Sequence, residues 1–134
     1  MSRRITDSYK KKLLTEEGYT VRHTADLRIA LCYPNTHAIG MANLGLHTMY
    51  ELFNTIPGVV CERVFLPDAD ELKEYERTNT KLMSLETQTR VSDFDVVAFS
   101  ISFETDYLNM AKMLQLSGIP VWSKDRTHFD PLVI

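Results

Sequence analysis

Leu27-Arg28-Ile29-Ala30-Leu31-Cys32-Tyr33 runs directly into Pro34-Asn35-Thr36-His37-Ala38-Ile39-Gly40, and the fold is decided at this junction. The first stretch is an apolar run of strand length, and Pro34 ends it by withholding a backbone donor. The second puts a polar residue, a histidine and a glycine on the loop leaving a buried strand, which in an open α/β sheet is where ligands bind. Neutral imidazole is a good transition-metal ligand, and a polar residue two positions earlier, as Asn35 is to His37, can fix its orientation and tautomer. Gly40 allows close approach of the backbone to a large ligand. The same residues also suit a plainer role, with His37 capping the next helix or bonding backbone and Gly40 turning the chain.

Outward from this junction, apolar runs alternate with helix-period segments, the pattern of βαβ units and a mainly parallel sheet. Toward the N-terminus, residues 5–17 read as a short helix ending at Gly18, and Thr20 to His23 as an extended arm, peripheral to the core. Toward the C-terminus a helix is expected from about Ala42 to Asn54, with Leu46, Met49, Tyr50 and Phe53 on its buried face. Pro57-Gly58 makes a turn, Val59 to Leu66 is the second strand, and Pro67-Asp68 opens an acidic helix to about Arg77. Lys81 to Glu86 is an extra strand or extended connection. Asp95 to Ser102 is the clearest strand, apolar through its first half and therefore central and covered on both faces. A helix from about Glu104 to Ser117 follows, with Tyr107, Met110, Ala111 and Leu114 as its stripe and Gly118 as its C′ residue. Ile119 to Trp122 and Pro131 to Ile134 read as further strands, the last without its downstream context.

The fold class is therefore α/β, a flavodoxin-like or Rossmann-like doubly wound sheet truncated at its C-terminal end. Residues 1–26 form an N-terminal helix and arm, and residues 27–134 the α/β domain. The ligand crevice should lie between the carboxyl ends of the first and third strands, where the loop after Tyr33 meets residues 100–104.

Bulk properties restrict the function classes. A chain of 134 residues, 44% hydrophobic and 25% charged, forms one core, and no apolar run has the length of a membrane span. No apolar segment follows Met1-Ser2-Arg3-Arg4, so a secretory signal is not expected and the location expected is cytoplasmic. Cys32 and Cys61 lie in strand-like runs without a C-x-x-C pattern and read as reduced core thiols. The net charge of −3 offers no general attraction for nucleic acid. Lys10, Lys11 and Lys12 read as a solvated helix face, because no aromatic platform accompanies them. Cys61-Glu62-Arg63 has no evident base and is not read as a nucleophile site, and Glu104 and Asp106 suit the first turn of a helix. Without G-x-G-x-x-G or a Walker motif, an independent flavin or nucleotide binder is the weakest reading.

Five segments in order carry a resemblance: Arg28-Ile29-Ala30-Leu31-Cys32-Tyr33-Pro34, Ile39-Gly40-Met41-Ala42-Asn43-Leu44-Gly45-Leu46, Glu62-Arg63-Val64-Phe65-Leu66-Pro67, Phe94-Asp95-Val96-Val97-Ala98-Phe99-Ser100 and Leu116-Ser117-Gly118-Ile119-Pro120. Through them the chain resembles the N-terminal cobalamin (B12)-binding-like domain of radical S-adenosylmethionine proteins of poorly defined function. The resemblance implies that Asn35-x-His37-x-x-Gly40 corresponds to the Asp-x-His-x-x-Gly that supplies the lower cobalt ligand of cobalamin domains, with asparagine in place of aspartate. His37 would then be the metal ligand, Asn35, Thr36 and Gly40 its loop companions, and Ser100, with Ser102 as a weaker neighbour, would face the nucleotide tail. The Gly-Gly turn that lines the tail pocket in such domains is not in this chain. The C-x3-C-x2-C motif is absent too, so S-adenosylmethionine and a 4Fe-4S iron-sulfur cluster are expected only in a downstream radical SAM domain of the same polypeptide. The function expected is a corrinoid-binding or corrinoid-binding-derived module that positions the cofactor for that separate catalytic domain, and this piece is not itself an enzyme. The alternative is a packing or interaction module that has kept the fold and lost the cofactor.

Overall fold

The structure is a computed structural model and describes residues 2–134. Its centre is a four-stranded, all-parallel sheet in the order β2-β1-β3-β4, built from β1 (Leu27–Tyr33), β2 (Val59–Phe65), β3 (Val96–Phe99) and β4 (Leu132–Val133). The helices are α1 (Arg3–Leu14), the single turn α2 (His37–Gly40), α3 (Leu44–Thr55), α4 (Ala69–Thr78) and α5 (Asp106–Ser117). This is the doubly wound order expected. Right-handed crossovers run one way from β1 to β2 and the other way from β2 through β3 to β4, so α3 covers one face and α5 the opposite face, while α4 packs on α1 and on Met83. The register puts Leu31 beside Arg63 and Ala98, and Ala30 beside Glu62 and Val97. β1 is therefore flanked on both sides and buried from Ile29 to Tyr33.

Local chemistry sets the helix limits. The Ser2 hydroxyl accepts from the Ile5 N–H and starts α1, Asn43 caps α3 through Leu46, and Asp68 with Glu71 forms a capping box on α4. Gly118, at φ +71°, ends α5 in the left-handed conformation.

Several expectations need correction. Ile119 to Trp122 is not a strand: the Arg126 guanidinium donates to the Pro120 and Val121 carbonyls at 2.8 and 2.7 Å and gathers the segment into a loop. On α5, Tyr107 is 58% exposed, and the buried positions are Asp106, Met113, Leu114 and Ser117. Of the two alternatives for Lys81 to Glu86, the connection holds: the segment forms one antiparallel bridge, Met83 to Arg90, and lies along the outer edge of β2, where the Leu85 N–H donates to the Arg63 carbonyl at 2.8 Å.

The arm stays peripheral, exposed from Val21 to His23, but the helix before it joins the core. Ile5, Tyr9 and Leu13 are buried in the same cluster as the strands, and α1 is bound to α4 by the Tyr9–Tyr75 hydroxyl pair at 2.8 Å, by Lys12 on Glu71 and by the Ser2 hydroxyl on Glu74. Ile5, Tyr9 and Leu13, at i, i+4 and i+8, form this buried face. Among the described residues, no helix is long and apolar enough to cross a membrane.

Two predictions follow from the packing of α1. Ile5→Ala should lower stability by about 2–5 kcal/mol within a single cooperative urea transition, because the side chain is fully enclosed; two separate transitions would show α1 to be an independent unit. The hydrogen bond from Arg77, with help from the Ser2 hydroxyl, holds the Glu74 carboxyl down at about 2. Its contribution is therefore complete above the unfolded value near 4.5 and lost as pH falls toward 2, so Glu74→Gln should flatten the acid limb of the stability profile in this window and leave the neutral region parallel to wild type.

Candidate functional site

The loop after β1 is closed on itself before it reaches any ligand. The Asn35 N–H donates to Tyr33 O at 2.8 Å, its side-chain oxygen accepts from the Thr36 N–H at 2.8 Å, and its carbonyl accepts from the Leu66 N–H at 2.9 Å. Asn35 thus pins the loop to the end of β2 and does not orient the imidazole of His37. Thr36 is the cap position of α2 and makes no side-chain capping bond. Gly40 is enclosed: a Cβ there would overlap the Phe65 ring and press on Tyr33 at 3.1 Å. Its close approach is to two aromatic rings of the core.

His37 is turned away from the β1/β3 rim toward α1 and β2. Its Nε2 lies 2.7 Å from Glu16 Oε1, its ring stands edge-on to Phe65 with centroids 5.1 Å apart, and its side chain is 17% exposed. The groove beside it, about 800 Å³, opens between α1 and the loop and is lined by Arg3, Arg4, Ser8, Lys11 and Thr15. At the rim itself the Ser100 N–H donates to Cys32 O at 2.9 Å, and the Ser102 N–H donates to the buried Asp106 carboxylate at 2.9 Å, a bond Phe103 shares. Asn109, on α5, donates from Nδ2 to Pro34 O at 3.0 Å and ties the helix across the switch point to the loop. The structure therefore brings Asn35, Thr36, His37 and Gly40 together, and leaves Ser100 and Ser102 on a separate part of the rim.

Glu16 is the hinge of a larger set. Its other oxygen accepts from Arg63 Nη2 at 2.7 Å. Arg63 Nε donates to Glu86 Oε1 at 3.0 Å, the Arg63 backbone N–H donates to Glu86 Oε2 at 2.8 Å, and the guanidinium lies over the Tyr50 ring at 4.6 Å. Arg63 and Glu86 are both buried. Burial pushes the Glu16 carboxyl up, and the hydrogen bonds from His37 and Arg63 outweigh it, holding the group below its usual range. Burial works against the Arg63 charge as well, and Glu86, Tyr50 and Glu16 more than offset it. Glu86 is the driest member: burial lifts its carboxyl to about 8, against the pull of Arg63 and with the added repulsion of Glu62. Glu62, on the opposite face, is met by Arg28, Ser84 and Thr87.

The sequence carried one signal for this set. Glu62 and Arg63 are adjacent opposite charges inside a strand otherwise fit for full burial, and charges in such a strand require partners. Nothing marked Glu16 or Asn109 in advance.

As arranged, Nε2 of His37 is not open to a metal. The ring nitrogen of His37 that meets Glu16 is committed to a carboxylate. Among the described residues, no group of three or more His, Cys, Asp or Glu side chains could hold a metal ion. Cys32 and Cys61 are enclosed, and burial pushes both thiols up, so neither is a reactive thiolate.

Measured above pH 8, where Glu86 is ionised together with Glu16, Arg63→Met removes the cation that serves both carboxylates and should cost about 3–5 kcal/mol. A triple variant with Glu16→Leu and Glu86→Leu should recover most of that loss in urea unfolding, since an apolar replacement of the whole set leaves no uncompensated charge. If Arg63→Met alone is near neutral, the set is not a buried electrostatic unit.

Comparison with known proteins bears on identity. Residues 45–134 match the family described as radical SAM proteins, N-terminal. The chain is similar to an uncharacterized protein of Methanocaldococcus jannaschii, 24% identical over 87 residues, a match covering 65% of this chain and 15% of that protein's length. No solved structure matches it. With about two-thirds of its length covered, the chain belongs to the family formed by the N-terminal region of radical SAM proteins.

Proposed function

We propose that this chain is the N-terminal scaffold of a longer radical SAM protein, a doubly wound domain derived from a corrinoid-binding fold whose ligand loop has been turned inward, and that its work is to pack against and position a downstream catalytic domain. S-adenosylmethionine and the 4Fe-4S cluster belong to that downstream domain in this reading, where they would supply the radical chemistry. The observation that supports it is the contact between His37 Nε2 and Glu16, backed by Arg63 and Glu86. Through Nε2, His37 would bind cobalt only after giving up a charge-assisted partner, and the carboxylate it abandons would stay beside a buried arginine. Gly40 and Asn109 support the same reading, because each fills space or makes a bond that an opened loop would lose.

The rival reading keeps cobalamin, with His37 as lower ligand and Ser100 near the nucleotide tail. It is favoured by one observation, the residual exposure of His37 toward the groove along α1.

The full-length protein mixed with hydroxocobalamin and then desalted should retain no corrinoid, with visible spectra identical for wild type and His37→Ala. A histidine-ligated spectrum that His37→Ala abolishes would overturn the scaffold reading and restore the cofactor.

A further inference from the structure

α1 turns its cations toward the open groove beside His37. Ile5, Tyr9 and Leu13 bury one side of the helix, and Arg3, Asp7 and Lys11, at i, i+4 and i+8, lie on the other with Arg4 beside them. The groove of about 800 Å³ is thus lined by four cations, Arg3, Arg4, Lys11 and Lys12, against one carboxylate, Asp7, in a chain of net charge −3. Lys12 is spent on Glu71 at 2.9 Å. The other three are not. The Arg3 side chain is 95% exposed and lies 3.9 Å from Asp7, the Arg4 side chain is 77% exposed and lies 4.0 Å from Glu74, and among the described residues the Lys11 side chain makes no ion pair or hydrogen bond. Exposed pairs of such length contribute little and yield to a better acceptor. The acids of α4 do not neutralise the groove either, because Glu74 is held by Ser2 and Arg77 and Glu71 by Lys12.

We propose that this groove binds the phosphodiester backbone of a single-stranded nucleic acid, without regard to base sequence. The lining residues are Arg, Lys, Ser, Thr, Asp and His, with no large apolar side chain to seat the anchors of a peptide, so a ligand here is held by charge. Arg3 and Arg4 offer planar forks that match a phosphate bidentately, and Lys11 offers a point charge. Seven or eight helical residues separate the arginines from Lys11, roughly 10–12 Å along α1, which is about three nucleotides of a stacked strand and too far for one phosphate to meet both ends. Apart from the His37 imidazole no ring lines the groove, so the bases gain no stacking platform and the contact is one of backbone alone. The negative charge of the chain as a whole does not oppose this, because exposed charges farther away than about 8 Å are largely screened at physiological salt.

Fluorescence anisotropy of the full-length protein with a labelled oligouridylate tests this. Affinity should fall about 15-fold between 50 and 200 mM salt, the slope of about −2 that three cations give on a single strand. Arg3→Glu combined with Lys11→Glu should weaken binding at 50 mM salt by at least about 10-fold. Arg22→Glu combined with Lys124→Glu makes the same change in charge at exposed positions outside the groove, and should weaken it by less than about 3-fold. Both double variants should keep the circular dichroism of wild type. Equal weakening by the two variants overturns the proposal, since total charge would then be the cause, and so does the absence of binding at 50 mM salt. Polyglutamate that competes as well as unlabelled oligouridylate also overturns it, and would assign the groove to acidic peptides.

Discussion

Arg63 sits at the outer edge of β2 and is the one cation through which four parts of the chain are joined. Its backbone N–H and its guanidinium both meet Glu86, which fastens the 81–90 segment along the strand edge; its second nitrogen meets Glu16 and anchors the end of the N-terminal segment; Glu16 in turn holds His37 and the loop after β1. α3 joins through the Tyr50 ring under the guanidinium. A buried charge of this kind adds little net stability over an apolar packing of the same shape, but leaving it unpaired is severe, so every part that contributes a partner is committed to one arrangement. The arrangement also protects β2, which would otherwise present a bare edge to solvent or to another chain.

That constraint explains why the β1 loop has its observed form. In an open α/β sheet the loop at the switch point is free to shape a pocket because it contributes little to the core. Here the loop is tied to the core. Asn35 is bonded to the end of β2, Pro34 is bonded to α5 through Asn109, and His37 is paired with a residue from the N-terminal segment. Family membership is that of the N-terminal region of radical SAM proteins, and Pro34, Asn35, His37 and Gly40 of the loop are engaged in internal contacts.

The sequence was informative where periodicity and burial coincide. β1 ran from Leu27 to Tyr33 as the apolar run implied, the strand order agreed with the alternation of elements, and Gly118 closed α5 because its φ is one that a side chain disfavours. It was misleading where a long-range partner overrode a local pattern. Ile119 to Trp122 has strand-like composition, and one arginine several residues later claims its carbonyls. The loop motif was legible as a motif but not as a site, since the partner of His37 is 21 residues earlier, just after α1.

Gly40 shows how little a short pattern discloses about the direction in which a loop faces. The absence of a side chain is required there because Phe65 and Tyr33 occupy the space, and a bulky cofactor pressing from outside would impose the same requirement. A His-x-x-Gly string therefore selects equally for a docking cradle and for an aromatic plug. Distinguishing the two in other members of the family calls for looking elsewhere in the chain, at whether a carboxylate near position 16 and an aromatic residue at the end of the second strand accompany the histidine.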